Sequence, residues 1–319
     1  KPDRRQRQMC IRDRYTGSEK FSAVLQVGTS SQDYQWEGFY TAAPDTKSRV
    51  VTVNGGYIKG GANYRANDNS NFFFNVGQIM RPPSFDGVFP NADYDFEEAD
   101  EILNESFTSF ELGYGFRSSN FKGTINAYHT VWGDRTLRRS TSIDDQGVRI
   151  IYSGVEQTHQ GIEGEMTWYP SSRLRVKGMF SLGDWKYTKN FQGDAYFIDN
   201  NQPAGTTGTL YLDGVKIGDA AQTVLYLGFD YKLTSKLSVD LDMMSYDNLH
   251  GRFGPLDSEF NSANNRGSIK LPSWGTADLG ATYSFNLLGY DARARLNVNN
   301  LFDEEYLSQS QTNFHNDGG

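Results

Sequence analysis

Residues 237–244 read Leu-Ser-Val-Asp-Leu-Asp-Met-Met, so that Leu237, Val239, Leu241 and Met243 alternate with Ser238, Asp240, Asp242 and Met244. A period of two is that of a β-strand whose two faces meet different surroundings. Carboxylates in the middle of such a strand need water or polar partners on the second face. The pattern recurs outward along the chain. Ala277, Leu279, Ala281, Tyr283 and Phe285 alternate with Asp278, Gly280, Thr282 and Ser284, and Ala292, Ala294, Leu296 and Val298 with Arg293, Arg295, Asn297 and Asn299. Upstream, Leu174, Val176, Gly178, Phe180 and Leu182 face away from Arg173, Arg175, Lys177 and Ser181, and Ile162, Met166 and Trp168 oppose Glu163, Glu165 and Thr167. Twelve strands are predicted, at 21–28, 34–42, 50–64, 71–80, 107–117, 121–140, 148–169, 173–187, 222–232, 237–246, 274–285 and 291–302.

The connections have a rhythm of their own. Turn-like ones at 65–70, 117–120, 170–173, 232–236 and 286–290 alternate with long polar ones at 81–106, 188–220 and 247–272. Up-and-down strands give that alternation when every long excursion leaves from one end, as in a transmembrane antiparallel β-barrel. The first strand then runs down toward the short-turn side and the last runs up. The strands at 121–140 and 148–169 are expected to rise past the membrane to a tip at 144–147. Phe116, Trp168, Tyr169, Phe229, Tyr231, Tyr283 and Phe285 stand just before short turns, and Trp132, Trp185, Tyr187 and Tyr246 just before long loops. Two interfacial aromatic girdles are therefore expected, the alternative being the core of a soluble sandwich. An Arg facing lipid costs ~2–4 kcal/mol at the midplane, so Asp240, Asp242, Asp278, Arg293 and Arg295 are assigned to a wet or plugged lumen.

Composition agrees. The chain has 319 residues, 31 Lys plus Arg and 39 Asp plus Glu, hence a formal charge of −8. An acidic chain argues against a nucleic-acid partner. No apolar run exceeds 224–229, far short of a helical membrane span of ~20 residues. Only 37% of residues are hydrophobic and mean hydropathy is −0.63, yet 14% are aromatic and 33 are glycine. Many strands, each apolar on one side, account for both figures. The lone Cys10 can form neither an internal disulfide nor a thiolate cage. It lies in residues 1–14, KPDRRQRQMCIRDR, a basic stretch read as aperiodic, whose QMCIRDR resembles translated sequencing-adapter sequence. That segment is set aside as a non-native tail.

Several strings resemble a known family. NNLFDEEYL at 299–307 is similar to the NLFD-x-x-Y signature of TonB-dependent outer-membrane receptors, and FFFNVGQIMRPPSF at 72–85 to their R-x-P-S-F element. SFELGYGFRSSNFKGTINAYHTVWGDR at 109–135 resembles a descending strand, tight turn and ascending strand of the family. GIEGEMTWYP at 161–170 resembles its G-x-E-x-E strand, and LPSWGTADLGATYSF at 271–285 the strand before the signature. These strings occur in family order, and their wording is closest to receptors of Bacteroidota. The resemblance implies a 22-stranded barrel of which residues 15–319 supply about twelve, with the plug domain, the first strands and the last strand outside this chain. It also implies a location in the outer membrane of a Gram-negative bacterium, surrounded by lipid and lipopolysaccharide. A small-molecule nutrient (ferric siderophore, vitamin, haem or oligosaccharide) would bind at the outer loops, and the TonB complex would act through the missing plug. A passive porin and a soluble β-rich binding module are the other readings.

No enzyme constellation is found. His129, His159, His250 and His315 are scattered without metal-ligand spacing, no nucleophile elbow occurs, and Gly55–Gly61 lacks the spacing of a phosphate loop. No cofactor or resident metal is expected. Substrate-binding candidates are Arg81 and Phe85 at the opening of the 81–106 loop, the loop aromatics Tyr94 and Phe96, and Trp132 with Arg135 and Arg138. The last three join an aromatic face to a basic patch suited to an anionic ligand or a glycan. Arg139 belongs to the same patch, for which salt bridging and lipopolysaccharide contact are equally open. Arg81 alternatively pairs with the acidic run Asp93, Asp95, Glu97, Glu98, Asp100 and Glu101. That run is read as a solvated loop face, or else as a Ca²⁺ site. Tyr196, Phe197, Tyr211 and Phe260 would stack on ligand or pin the loops.

Overall fold

The computed structural model describes residues 3–38, 46–90, 98–99, 101–143, 145–200, 202–252 and 258–310. They form one antiparallel sheet of fourteen strands. In chain order these are β1 (Asp3–Thr16), β2 (Phe21–Gln35), β3 (Val51–Arg65), β4 (Ser70–Arg81), β5 (Glu105–Arg117), β6 (Phe121–Ile143) and β7 (Gln146–Trp168). There follow β8 (Leu174–Tyr187), β9 (Phe191–Phe197), β10 (Pro203–Leu210), β11 (Thr223–Lys232), β12 (Leu237–Asp247), β13 (Trp274–Leu287) and β14 (Tyr290–Val298). The wall runs β1 to β8, then β11 to β14, each strand beside its predecessor, and β9–β10 hang from β7. Among the described residues no ladder joins β14 to β1, so the barrel wall is open.

Register sorts the side chains by face. Asp242 pairs with Asp278, Thr282 with Arg295 and Ser284 with Arg293, all on one face. Leu241 pairs with Leu279, Leu237 with Tyr283 and Ala281 with Leu296 on the other. The charges assigned to the lumen thus share one face. They also satisfy one another: Arg295 holds Asp240 at 2.8 Å, Arg175 holds Asp230 at 2.9 Å, and Lys177 reaches both Asp230 and Asp242. The opposite face is apolar and uncovered, with Leu112 61% and Ile58 52% exposed. A soluble sandwich would bury that face under a second sheet.

The two rims differ as the connection lengths require. Short turns at 17–20, 66–69, 118–120, 169–173, 233–236 and 288–289 all lie on one rim. Four are closed by the same device, a hydroxyl two or three residues before the next strand accepting a backbone N–H. Ser18 takes that of Phe21 at 3.1 Å, Ser118 that of Phe121 at 3.1 Å, Ser171 that of Leu174 at 3.2 Å, and Thr234 that of Leu237 at 2.9 Å. The sixth turn has positive φ at both Leu288 and Gly289, the backbone of a tight hairpin turn. The connections 36–50, 82–104, 188–222 and 248–273 leave from the opposite rim. There β6 and β7, 23 residues each, run far beyond the 9–11 residues of a typical membrane strand.

Four expectations are corrected. The predicted strands 21–28 and 34–42 are one strand through Gln35, with residues 39–42 outside the described set; it runs up from the short-turn rim, not down. Gly28-Thr-Ser-Ser-Gln-Asp reads as a turn, yet every residue from Gly28 to Tyr34 has a partner on β3. Gly28 is required there because a Cβ would run into the Tyr57 ring. Second, Asp3–Thr16 is paired along β2, placing Met9, Ile11 and Tyr15 on the apolar face and Arg12 and Arg14 on the polar one. The alternation is present but spans too few residues to stand out among the flanking arginines. Third, the 188–220 loop contains the β9–β10 hairpin, whose β9 pairs with residues 148–152 of β7.

The fourth correction concerns the upper aromatics. Trp132, Trp185, Tyr187 and Tyr246 share the polar face with Gln157 and Asp242, so they line the lumen instead of forming a second girdle. Being at a strand end says nothing about parity, and one residue of register decides the face. The girdle at the short-turn rim has its outward, exposed aromatics: Tyr64, Phe72, Phe116, Trp168, Tyr231 and Tyr283.

Sealed apolar packing is found above the long-loop rim. Val148, Ile150, Tyr152 and Val155 of β7 meet Tyr187, Phe191, Leu210, Leu212 and Phe260 in one cluster. Tyr34, Trp36 and Val51 meet Val88 and Phe89 in another, where the one-turn helix Phe85–Val88 folds over the mouth. The Tyr34 hydroxyl donates to the Pro83 carbonyl at 2.6 Å and holds that helix down.

Candidate ligand site at the long-loop rim

Cross-strand pairing sets Ile79, Phe107, Trp132, Gln157 and Tyr187 in one row across β4 to β8 on the polar face, with His159 and Trp185 in the row below. The upper row sits where the wall gives way to the long loops. Phe107 and Trp132 stack with centroids 4.9 Å apart. Two guanidiniums flank the pair. Arg135 lies 4.0 Å above the Trp132 ring, and Arg81 lies 5.3 Å from Phe107 and 5.8 Å from Trp132. A bulge between Trp132 and Arg135, with Asp134 at φ 58°, accompanies the return of Arg135 over the tryptophan.

Glu105 ties the group together. Its carboxylate pairs with Arg81 and accepts the Trp132 indole N–H at 3.1 Å. The Arg135 guanidinium donates to Gln157 Oε1 at 2.7 Å, and the Gln157 amide meets His159 at 2.9 Å. His159 in turn lies 5.4 Å from Trp185, whose indole N–H donates to the Tyr128 hydroxyl at 2.8 Å. Rings, cations and amides thus form one continuous network. A cavity of about 450 Å³ opens beside it, between Arg81, Glu105, Gln32, Tyr57 and Pro83. Chemically the arrangement offers flat aromatic faces to stack on and guanidiniums to meet negative charge.

Of the seven sequence candidates, Arg81, Trp132 and Arg135 come together here. Phe85 packs into the second rim cluster, its ring 5.1 Å from Phe89, and secures the loop. Arg138 holds the same helix, reaching Asp86 at 3.7 Å and the Pro90 carbonyl at 3.3 Å. Tyr94 and Phe96 lie outside the described residues. Arg81 finds its carboxylate in Glu105, beyond the acidic run; Glu98 of that run binds Arg49 at 2.5 Å, while Asp93, Asp95, Glu97 and Asp100 lie outside the described set. Among the described residues no three His, Cys, Asp or Glu side chains are grouped to hold an ion. Phe197 and Phe260 pin the loops to the first cluster. Sequence reasoning missed Glu105, Phe107, Gln157, His159 and Trp185, whose only signal is the cross-strand register. A further stack, Tyr246–Trp274–Tyr306, brings the NNLFDEEYL segment onto the same face, with centroids 4.0 and 3.8 Å apart.

Known proteins agree with this geometry. Residues 3–301 match the family described as TonB dependent receptor-like, beta-barrel. A search among curated protein sequences finds no match. Among solved structures, the ferric-catecholate import receptor Fiu of E. coli K12 superposes with a TM-score of 0.64 at 15% identity, covering 98% of this chain. The FrpB iron transporter of Neisseria meningitidis (F3-3 variant) gives 0.66 at 14%, also over 98%, and the copper transporter OprC 0.62 at 11% over 96%. The chain spans 43% of the length of each. These are barrels of transport receptors, not enzymes. With its whole wall matched, the chain belongs to the TonB-dependent receptor-like β-barrel family.

Proposed function

We propose that this wall is part of an outer-membrane receptor of a Gram-negative bacterium, one that binds a scarce small-molecule nutrient at its long-loop rim for TonB-energised import. The observation that carries the reading is the Arg81–Phe107–Trp132–Arg135 stack, placed on the lumenal face at the mouth. Two guanidiniums around aromatic faces favour an anionic ligand with a flat or ring-shaped portion. A ferric siderophore or haem fits that description better than a neutral oligosaccharide or a vitamin. Superposable proteins named for import of ferric catecholate, iron and copper support a metal-chelate cargo. Lipid surrounds the apolar face, and lipopolysaccharide meets the polar outward residues above it, such as Asp184 and Lys186. The TonB complex acts through a plug region beyond this chain.

The test is uptake by cells carrying the complete receptor with Trp132→Ala and Arg135→Ala. Import of a ferric siderophore should fall with either substitution and stop when the proton-motive force is collapsed. Uptake that continues without a proton-motive force would instead favour a passive channel.

A further inference from the structure

Several cations of the lumenal face are held by carboxylates: Arg81 by Glu105, Arg175 by Asp230, Lys177 by Asp230 and Asp242, and Arg295 by Asp240. A group at the short-turn rim is not. Arg117, the last residue of β5, lies opposite Lys122 near the start of β6. Lys122 lies opposite Thr167, and Thr167 opposite Lys177, whose ammonium reaches Asp242, so Lys122 and Arg117 point into the lumen. Two residues before Arg117, Gly115 faces the same way; it pairs with Asn71, and Asn71 pairs with Arg65 at the end of β3. Arg65, Arg117 and Lys122 are thus neighbours on one face. All three are exposed, and among the described residues none has a carboxylate within 4.0 Å.

The three side chains line a cavity of about 420 Å³ with Asn63, Asn71 and Gly115. That volume is within the range of a small-molecule cleft. Gly115 stands in the row Arg65–Asn71–Gly115–Thr124, and a Cβ there would come within 2.6 Å of Asn71 Oδ1. The missing side chain leaves the floor open between Arg65 and Lys122. Asn71 donates to Asn63 Oδ1 at 2.7 Å, which fixes its amide in the lining. Asp68, on the 66–69 turn, is the one carboxylate in that lining, so three cations leave the cavity positive. Two guanidiniums, an ammonium and amides are donors suited to an oxyanion. β4 runs from Ser70, beside this cavity, to Arg81, beside the mouth stack; its 12 residues span ~40 Å, so one small ligand does not touch both.

We infer that this cavity is a second anion site, which takes an oxyanion group of the cargo, such as a carboxylate, after the cargo leaves the mouth. The inference rests on the import reading, in which a cargo admitted at the long-loop rim leaves by the opposite one.

The experiment titrates citrate, a tricarboxylate, into the complete receptor in uncharged detergent and reads binding by calorimetry. Affinity should fall about tenfold in Arg65→Gln/Arg117→Gln/Lys122→Gln, which removes the charge-assisted contacts. If that variant does not fold, Lys122→Gln alone should still weaken binding about threefold. In cells, import of a ferric siderophore per receptor should fall severalfold in the triple variant. Absence of citrate binding, or binding that the three substitutions leave unchanged, overturns the site. Loss in Arg81→Gln/Arg135→Gln but not in the triple variant puts citrate at the mouth and overturns it equally. Import that the triple variant keeps in full overturns the link to cargo. Failure of the import reading looks different: the unsubstituted receptor would import nothing, while citrate would still decide whether the anion site exists.

Discussion

The long-loop rim is folded in its own right, while the short-turn rim is a set of minimal hairpins. Above the long-loop rim the chain meets water, so it must bury its own apolar side chains. It does so around Phe260 and around Phe89, with both ring stacks and most ion pairs close by. At the short-turn rim Phe116, Trp168 and Tyr231 stay exposed, because the membrane supplies their apolar contact. The same residue type therefore has different work on the two rims, and equal substitutions should give unequal results.

The largest difference is expected between two phenylalanines. Phe260 is fully buried, and Phe260→Ala should cost the rim cluster ~3–5 kcal/mol. Limited proteolysis should then cut the β9–β10 hairpin while the wall keeps its thermal transition. Phe116→Ala removes an outward ring that touches Phe121 at 6.0 Å and should cost only the ring pair, ~0.5–1.5 kcal/mol, in detergent-solubilised protein. If the two substitutions cost the same, the contrast between the rims fails.

Trp132→Ala sharpens the comparison within the upper rim. It removes the surface between two guanidiniums and should weaken ligand binding roughly tenfold, each cation–π contact being worth ~0.5–2 kcal/mol. Trp132→Phe keeps an aromatic face between the guanidiniums, though a smaller one, and loses the N–H to Glu105, so titration calorimetry should find more affinity retained than in Trp132→Ala. A Phe variant as weak as the Ala variant would make the indole N–H, not stacking, the important contact.

The smallest effect is a pH response confined to the same rim. His250, in the connection 248–273, is buried beside Lys216 and Lys270, with its Nδ1 3.1 Å from the Asn248 carbonyl and the Asp247 carboxylate near. Burial, aided by the two lysines, holds its imidazole below the ordinary histidine range. The unfolded loop then binds more protons than the folded one as pH drops through ~6.5, so packing is fully kept above that value and weakens below it. The protection factors of amides in 248–273, each taken against the intrinsic exchange rate at the same pH, should fall from pH 7.5 to 5.5, and His250→Gln should remove that dependence. The short turns, without histidine, should not respond.

Much of the wall was legible in the residues. Alternation at 237–244 and 274–285, with turn residues between strands, placed β11 to β13 within one or two positions of where they lie. Period and turn chemistry are local, so local reading recovers them. What escaped was non-local. Gly28–Gln35 carries turn-forming residues but is held as strand by β3, and the β9–β10 hairpin exists because β7 offers an edge above the membrane. The site was half visible: Trp132 and Arg135 are neighbours in the chain, whereas Glu105, Phe107 and Gln157 join them only through pairing between strands. The facing of Trp132, Trp185, Tyr187 and Tyr246 depended on parity, which a position near a strand end does not give.

The two-faced wall itself is tested most directly along β12. Single cysteines at 238–244, in a Cys10→Ser background, would carry spin labels in the complete receptor reconstituted in vesicles. Accessibility to oxygen, which concentrates in lipid, should peak at 239, 241 and 243, and accessibility to a water-soluble nickel chelate at 240, 242 and 244. Absence of that alternation, or protection of both series alike as in a sandwich core, would contradict a wall with lipid on one side and a polar lumen on the other.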